Sequence, residues 1–282
     1  MRELERNPTE IIAPEALPPI NLVGRGRVGG SLAAAAIGAR VEARLTSLEQ
    51  LEGDGDEVSV ALLCVPDDAI TATASRVRLA CPRLELIGHT SGANRLEALG
   101  AATGSLARFS LHPLQTIPDA DADLGGVPAA IAADSDPARA YAERLALTLG
   151  LRPFEVSEEH RAAYHAAASI ASNFLVALEQ SAAELLAAAG ISDGRELLSC
   201  LVERSLANWS ARGADALTGP IARGDEGTVA AHRTAIEDLA PELGPMYEAM
   251  AERTRALAEA RAHARTRASD GAATHTEAKV PA

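Results

Sequence analysis

Lysine is almost absent from this chain: of 26 basic residues only Lys279 is one, and the rest are arginine. No segment expected to fold therefore offers a lysine ammonium as proton donor, Schiff-base former or phosphate ligand. Aromatic residues make up only 2% (three Phe, three Tyr, one Trp), so the core must be built from Ala, Leu, Val and Ile. A nucleotide pocket based on ring stacking is disfavoured for the same reason. Cys64, Cys81 and Cys200 are odd in number, widely spaced and set among apolar neighbours. They read as small core residues in a reducing compartment, not as a disulfide framework or a metal site. Long apolar runs are missing too. The longest uncharged stretch, Ala162 to Leu178, carries His165, Ser169, Ser172 and Asn173 and falls short of the ~20 apolar residues of a membrane span. The opening Met1-Arg2-Glu3-Leu4-Glu5-Arg6 does not read as a signal peptide, so the expected location is cytoplasmic. Acidic residues outnumber basic ones 39 to 26, a net charge of -13, which argues against a general nucleic-acid binder.

What is present changes character once along the chain. From Pro19 to about Ser157, short apolar runs alternate with helical stretches. The runs are Ile20–Val23, Arg40–Leu45, Val58–Val65, Leu84–Ile87, Leu106–Leu111, Val127–Ala132 and Leu151–Val156. The clearest helices between them are Gly29–Ile37, Asp67–Leu79 and Asp136–Leu149. Such alternation predicts an α/β Rossmann-type domain, a doubly wound and mostly parallel sheet covered on both faces, over residues 18–156. An all-helical domain should follow over 157–266. It should open with one long helix from the N-cap Ser157, with Glu158 and Glu159 in its first turn, to Gly190. Further helices are expected near Asp193–Ala211, Glu226–Leu239 and Pro245–Ala264. The ends, 1–17 and 267–282, read as disordered.

The first strand runs into Gly24-Arg25-Gly26-Arg27-Val28-Gly29, a G-x-G-x-x-G loop that opens an alanine-rich helix. Gly24 permits the tight turn, Gly26 lets a pyrophosphate approach the backbone, and Gly29 lets helix pack on strand. The free N–H groups and positive end of the helix dipole then face the phosphates. NAD enzymes carry an acidic residue about 20 residues further on to bond the ribose. Here that position is Arg44, followed by Thr46 and Ser47, a set suited to a 2′-phosphate and hence to NADP(H). The cofactor set is Gly24, Arg25, Gly26, Val28, Gly29, Arg44, Thr46 and Ser47, with Val65 and Pro66 after the third strand.

The loops after later strands should share the same sheet edge. Asp67 and Asp68 read as caps of the next helix. His89 reads as a loop histidine with a local bond. His112, in Leu111-His112-Pro113-Leu114-Gln115, is a candidate beside the nicotinamide, and Ser91 a candidate substrate contact. In the helical half, His165, Ser169, Ser172 and Asn173 stand at i, i+4, i+7 and i+8, one stripe roughly 100° wide. Unpaired when buried, such groups cost about 1–3 kcal/mol each. They must therefore bond neighbouring helices or face a cavity, where they would polarise a carbonyl or imine as hydride arrives. Arg223, in the loop Thr218–Asp225, is placed either to clamp a substrate carboxylate or to pair with Asp225, the expected cap of the next helix.

Taken together these motifs resemble a known family. Its N-terminal half is matched by the glycine loop, Val65-Pro66-Asp67-Asp68-Ala69-Ile70, His89-Thr90-Ser91-Gly92 and Leu111-His112-Pro113-Leu114-Gln115. Tyr164-His165, Ser172-Asn173 and Thr218-Gly219-Pro220-Ile221-Ala222-Arg223-Gly224-Asp225 match its C-terminal half. It is the Rossmann-like family whose second half is called domain of unknown function 2520, and the resemblance spans about residues 18–262. The family is similar to deazaflavin-dependent NADP oxidoreductases, pyrroline-5-carboxylate reductases and prephenate dehydrogenases, and some relatives are described as alternative ketopantoate reductases. The resemblance implies a helical domain like that of 6-phosphogluconate dehydrogenase and a homodimer formed through it. Hydroxyacid dehydrogenases of this superfamily carry K-x-x-x-N on the first helix of that domain. The corresponding residues here are Ser169 and Asn173, so the lysine mechanism does not transfer.

These expectations converge on an NADP(H)-dependent oxidoreductase acting on a small carboxylate-bearing carbonyl or imine compound. His165, Ser169, Asn173 and His112 are the catalytic candidates, and Ser91, Ser172 and Arg223 the substrate contacts; no metal, nucleic acid or membrane is expected. The rivals are a non-catalytic NADP-binding sensor or scaffold, and a glycine loop that binds no dinucleotide.

Overall fold

A computed structural model of the chain describes residues 17–277. The expected disordered N-terminus lies outside the described residues except for Leu17, which packs against the core. Seven strands form one sheet: β1 (Ile20–Val23), β2 (Ala43–Thr46), β3 (Val60–Leu63), β4 (Leu86–His89), β5 (Ala107–Pro113), β6 (Pro128–Ala133) and β7 (Arg152–Glu155). Their order is β2-β1-β3-β4-β5-β6-β7. The first five are mutually parallel, β6 runs antiparallel to β5, and β7 is parallel to β6. All seven expected strands are present.

Alternation along the strands explains why helices cover both faces. Ile20, Leu22, Val60 and Leu62 point to one side, where they pack with α1 (Arg27–Ala39) and α4 (Asp136–Thr148). Val23, Ala61 and Leu63 point to the other, against α2 (Leu48–Asp54) and α3 (Ile70–Ala80). Only one large aromatic, Phe109, is fully buried; the rest of both cores is small and aliphatic, as the composition requires. Asp67 and Asp68 do not cap by side chain as expected. They form a 3-10 turn (Asp67–Ala69) ahead of α3, with no side-chain cap bond. They act instead as first-turn anions at the positive end of the dipole.

The single long helix expected from Ser157 is four elements. Glu158–His160 is a 3-10 turn, α5 covers Arg161–Ser169, Ile170–Phe174 is a π-helical turn, and α6 covers Leu175–Ala188. The Ser157 hydroxyl bonds His160 Nδ1 at 2.7 Å instead of capping. Gly190, with φ +80°, ends α6 as expected. The chain divides into two compact units between Ser172 and Asn173. The second holds α6, α7 (Gly194–Arg212), the single turn α8 (Pro220–Arg223), α9 (Glu226–Leu239) and α10 (Gly244–Glu277). Helix α10 continues through residues 267–277, which were expected to be disordered; 278–282 lie outside the described residues. Within this unit few large apolar side chains are buried, Val229 and Ile236 among them. Phe174, Val176, Leu197, Leu201 and Trp209 are exposed. Cys200 is exposed as well, against the expectation of a core residue; Cys64 and Cys81 are buried. Among the described residues no helix is long and apolar enough to cross a membrane.

Candidate functional site

The parallel strands bring every N-terminal motif to one sheet edge. At the end of β1, Gly24 has φ +123°, and a Cβ there would stand 2.3 Å from the Cys64 carbonyl oxygen. A Cβ on Gly29 would stand 2.0 Å from the Gly24 oxygen, so both glycines are demanded by packing alone. Gly26 differs: nothing lies within 4 Å of its Cβ position. The backbone there is open on the side where an anion would approach. Gly26 is also the N-cap of α1, whose first turn holds no acidic residue. Arg25 and Arg27 are exposed beside that helix end. Two cations at the positive end of a dipole are locally unfavourable without an anion to offset them. The loop therefore suits a pyrophosphate.

Around the end of β2 the geometry sharpens the expectation. Thr46, not Arg44, occupies the strand tip, paired in register with Val23. Arg44 lies opposite Asn21, two residues back, and is exposed. Thr46 Oγ1 is buried without a partner. Ser47 is already engaged, accepting from Gln50 N at 3.3 Å in a capping box with Gln50. Arg25 reaches the same residue, its Nη2 donating to Gln50 Oε1 at 2.8 Å. No carboxylate stands at the tip. The nearest in sequence, Glu49, is exposed, and hydrogen bonds from the α2 backbone and Ser47 hold it below its ordinary range. Val65 is half-buried and Pro66 exposed at the end of β3.

Beyond β4 and β5 lies a cluster of rings and one buried cation. The His89 side chain is fully buried; its Nδ1 accepts from Ser91 N at 3.2 Å and its Nε2 faces the Arg95 carbonyl at 3.3 Å. Both nitrogens are used, and burial, then the charge of Arg161, push its pKa down to about 4. His89 makes the local bonds expected of it, but from the last position of β4 rather than from a loop. The Ser91 hydroxyl accepts from Ala93 N and Asn94 N at 3.3 and 2.9 Å, shaping the turn rather than facing solvent.

His112 is held differently. Its Nδ1 bonds the Tyr164 hydroxyl at 2.7 Å, while Nε2 has no hydrogen-bond partner among the described residues. Its ring lies 5.6 Å from that of Tyr164 and 6.3 Å from that of His165. Burial, then His165 and Arg161, push its pKa down to about 4, with Asp67 opposing. A Cβ on Gly92 would stand 2.8 Å from His112 Nε2 and 2.9 Å from His165 Cδ2. Glycine at 92 is what lets the two imidazoles close on this loop.

Helix α5 presents these residues because Arg161 anchors its first turn. The guanidinium is fully buried, with Nη1 donating to Ser110 Oγ at 2.8 Å and Nη2 to the Ser91 carbonyl at 2.6 Å. Glu158 Oε1 stands 3.7 Å from Nη1, and its Oε2 accepts from Leu96 N at 2.6 Å. Tyr164 follows three residues later on the same face, packed edge-on against Phe154 at 5.9 Å. The sequence pattern assigns no role to Arg161 or Tyr164. Apart from Glu158, three residues before Arg161, their partners are distant along the chain, and local spacing does not signal them.

The polar stripe is only partly realised. His165 joins the cluster, and Ser169 ends α5 without a hydrogen bond among the described residues. Ser172 donates to the Ala168 carbonyl at 2.8 Å, within its own helix. The π turn adds a residue where the stripe was extrapolated at 3.6 per turn, so Asn173 is displaced from the line of His165 and Ser169. Asn173 and Arg223 belong to the second unit and are exposed. Arg223 makes no hydrogen bond or ion pair among the described residues, while Asp225 caps α9 through Thr228 as expected.

Residues 127–254 match the model of a domain of unknown function, DUF2520. The matched segment begins just before β6 and so includes the last strands of the sheet. No curated protein sequence matches the chain. A candidate NADP oxidoreductase from Bacteroides fragilis is similar in structure, with TM-score 0.69 and 22% identity over 85% of this chain and 98% of that one. A Thermotoga maritima protein gives TM-score 0.69 and 22% identity over 86% and 99% of the two chains. Plasmodium falciparum pyrroline carboxylate reductase, solved with NADP bound, gives TM-score 0.55 and 14% identity over 85% and 98%. At such identities the likeness establishes the fold. It is a Rossmann-like sheet domain followed by a helical region.

Proposed function

We propose that the chain is an NADP(H)-dependent reductase or dehydrogenase of a small carboxylate-bearing carbonyl or imine compound. The observation that carries this is the free Nε2 of a neutral His112 on the same sheet edge as an open glycine loop. Strands β1 and β5 are three spacings apart, roughly 14 Å at the usual strand separation, a span suited to a dinucleotide lying across the edge.

The N–H groups from Gly26 into α1, with Arg25 and Arg27 beside them, would hold the pyrophosphate. Thr46 Oγ1, which lacks a partner, and Arg44, exposed two residues before it, would meet the adenosine ribose and its phosphate. Bound there, the nicotinamide would exchange a hydride with the substrate. His112 Nε2 would hydrogen-bond the substrate oxygen or nitrogen, with His165 and Ser169 beside it on α5. Glu49 favours a second reading of the cofactor, NADH, because an anion at the start of α2 suits a ribose diol better than a phosphate.

A fluorescence titration with NADPH and NADH, followed by a panel including ketopantoate and pyrroline-5-carboxylate, tests the proposal. NADPH should bind more tightly, and Arg44→Ala should weaken NADPH much more than NADH. Equal weakening refutes the phosphate role of Arg44, and failure of both cofactors to bind refutes the whole reading. Tight binding with no turnover of any carbonyl or imine identifies a sensor. The exposed apolar side chains of the second unit, and a groove of about 400 Å³ between α6 and α7 lined by Leu175, Val176, Leu198 and Val202, support the expected homodimer. A monomeric mass by light scattering at micromolar concentration would refute it.

A further inference from the structure

A neutral histidine poses a chemical difficulty for this site. With its pKa depressed to about 4, His112 carries no imidazolium proton to give at neutral pH. Its Nε2–H can hydrogen-bond a developing oxyanion, but giving that proton away outright would leave an imidazolate. The step becomes accessible only if Nδ1 gains a proton as Nε2 loses one. The group against Nδ1 therefore decides what His112 can do.

That group is the Tyr164 phenol, 2.7 Å from Nδ1. Two arrangements satisfy the distance. In one the phenol donates to Nδ1, and the imidazole proton sits on Nε2. In the other Nδ1–H donates to the phenol oxygen, and the phenolic proton must find another acceptor. Among the described residues Tyr164 Oη has only His112 as a partner. Burial keeps the phenol protonated, pushing its pKa up to about 12, while the Arg161 charge opposes that shift. The first arrangement satisfies both groups. It also puts a donor on Nε2, the nitrogen next to Gly92 and free of protein partners.

We propose that Tyr164 is the positioning residue of this site: by donating to Nδ1 it fixes the His112 proton on Nε2 and replaces it when Nε2 gives it up. This rests on the assignment of His112 as the group facing the substrate. In the reduction of a carbonyl, the oxygen receives the Nε2 proton and forms its O–H bond. Nδ1 takes the phenolic proton, and a phenolate remains near the Arg161 charge until Nδ1 returns that proton to it and Nε2 takes a new one from water. Protons and charge balance without a lysine, and the imidazole stays neutral throughout. The parts are held rigidly, since Tyr164 packs on Phe154 and Arg161 ties α5 to Ser91 and Ser110.

Nitrogen NMR of the full chain labelled with 15N-histidine tests this without a substrate. His112 signals are identified by their loss in His112→Gln. In the wild type near pH 7, Nε2 should be protonated and Nδ1 bare. Tyr164→Phe keeps the ring against Phe154, so folding and NADPH affinity should hold within about twofold, while the His112 tautomers become mixed. A wild-type proton on Nδ1, or an unchanged tautomer in Tyr164→Phe, overturns the proposal. With any carbonyl the enzyme turns over, kcat should fall about 10- to 100-fold at unchanged KM, at or below the low end of the ~10²–10⁴-fold of general acid catalysis because the His112 imidazole itself remains. If His112→Gln stops turnover and Tyr164→Phe does not slow it, the role of Tyr164 is overturned and that of His112 stands. If His112→Gln leaves turnover intact, the assignment of His112 fails, and with it the catalytic part of this proposal; the tautomer result is then structural only.

Discussion

Mild acid should loosen the sheet unit, because two imidazoles are buried in the form that carries no charge. His89 and His112 both sit at about 4, below the ordinary 6.5. For His89 the causes are burial and then Arg161, partly offset by the bond to the Arg95 carbonyl. For His112 they are burial, His165 and Arg161, partly offset by Asp67. Both folded-state values are depressed, so between pH 6.5 and 4 the unfolded chain binds more protons than the folded one. Stability must fall as pH falls through that window and level off, for these two groups, below it.

At 1.36 kcal/mol per pH unit, the gap between 4 and 6.5 is worth roughly 3 kcal/mol per imidazole. Between pH 7 and 5 it comes to about 2 kcal/mol each, or ~4 kcal/mol for the pair. That is a large part of the ~5–15 kcal/mol stability of a typical domain. Carboxylates titrate mostly lower in the unfolded chain, which leaves this interval to histidine. Hydrogen exchange of amides in β4 and β5, corrected for the intrinsic pH dependence of exchange, reads the sheet unit by itself. The wild type should lose several kcal/mol of protection between pH 7 and 5. His89→Asn/His112→Asn, which keeps an acceptor near each Nδ1 position, should lose much less. A wild-type loss under about 1 kcal/mol, or equal slopes in both proteins, would refute the assignment of neutral buried imidazoles.

Arg161→Met should destabilise by about 3–5 kcal/mol, since it strands the Ser91 carbonyl and Ser110 hydroxyl and leaves Glu158 without its cation. Urea unfolding measures this, and a loss under 1 kcal/mol would mean that the buried charge is neutral to stability. Gly92→Ala puts a Cβ within 3 Å of both imidazoles, so it should cost about 1–3 kcal/mol by overpacking and slow turnover while NADPH still binds. Loss of cofactor binding in that variant would place the cofactor, not the substrate, at Gly92.

The strands were legible because each is a short apolar run punctuated by Gly, Pro or Asp, and because a sheet covered on both faces leaves little room for polar alternation. Helix α2 was not. Seven residues make too short a window for periodicity, although the capping box of Ser47 and Gln50 was readable and would have found it. The π turn at Ile170–Phe174 had no signal in a run of Ala, Ser and Ile. Whether a hydrogen bond spans four or five residues there is set by what the helix packs on, not by its own composition. Ser91 and Ser172 offer hydroxyls to a substrate by sequence, yet a hydroxyl close to a free backbone group satisfies itself locally. The Tyr164–His112 bond spans 52 residues. Tyr164 stands next to His165 in the sequence, but its partner His112 is evident only once β5 and α5 are brought together.

The lack of lysine and the state of His112 bear on one question, which substrate class the site prefers. The titratable groups that act on His112 are His165, Arg161 and Asp67, and of these Arg161 is a cation that does not release its proton. The remaining donors are a neutral imidazole, a phenol and hydroxyls, all weak acids at pH 7. A ketone needs a proton as its oxygen gains negative charge, and so needs the Tyr164–His112 pair. A cyclic imine can arrive already protonated and needs only orientation and hydride. The ratio of turnover in Tyr164→Phe to that in the wild type should therefore depend on the substrate, falling steeply for a ketone and little for an iminium. Equal loss for both would mean that Tyr164 acts through packing alone, whatever the natural substrate is.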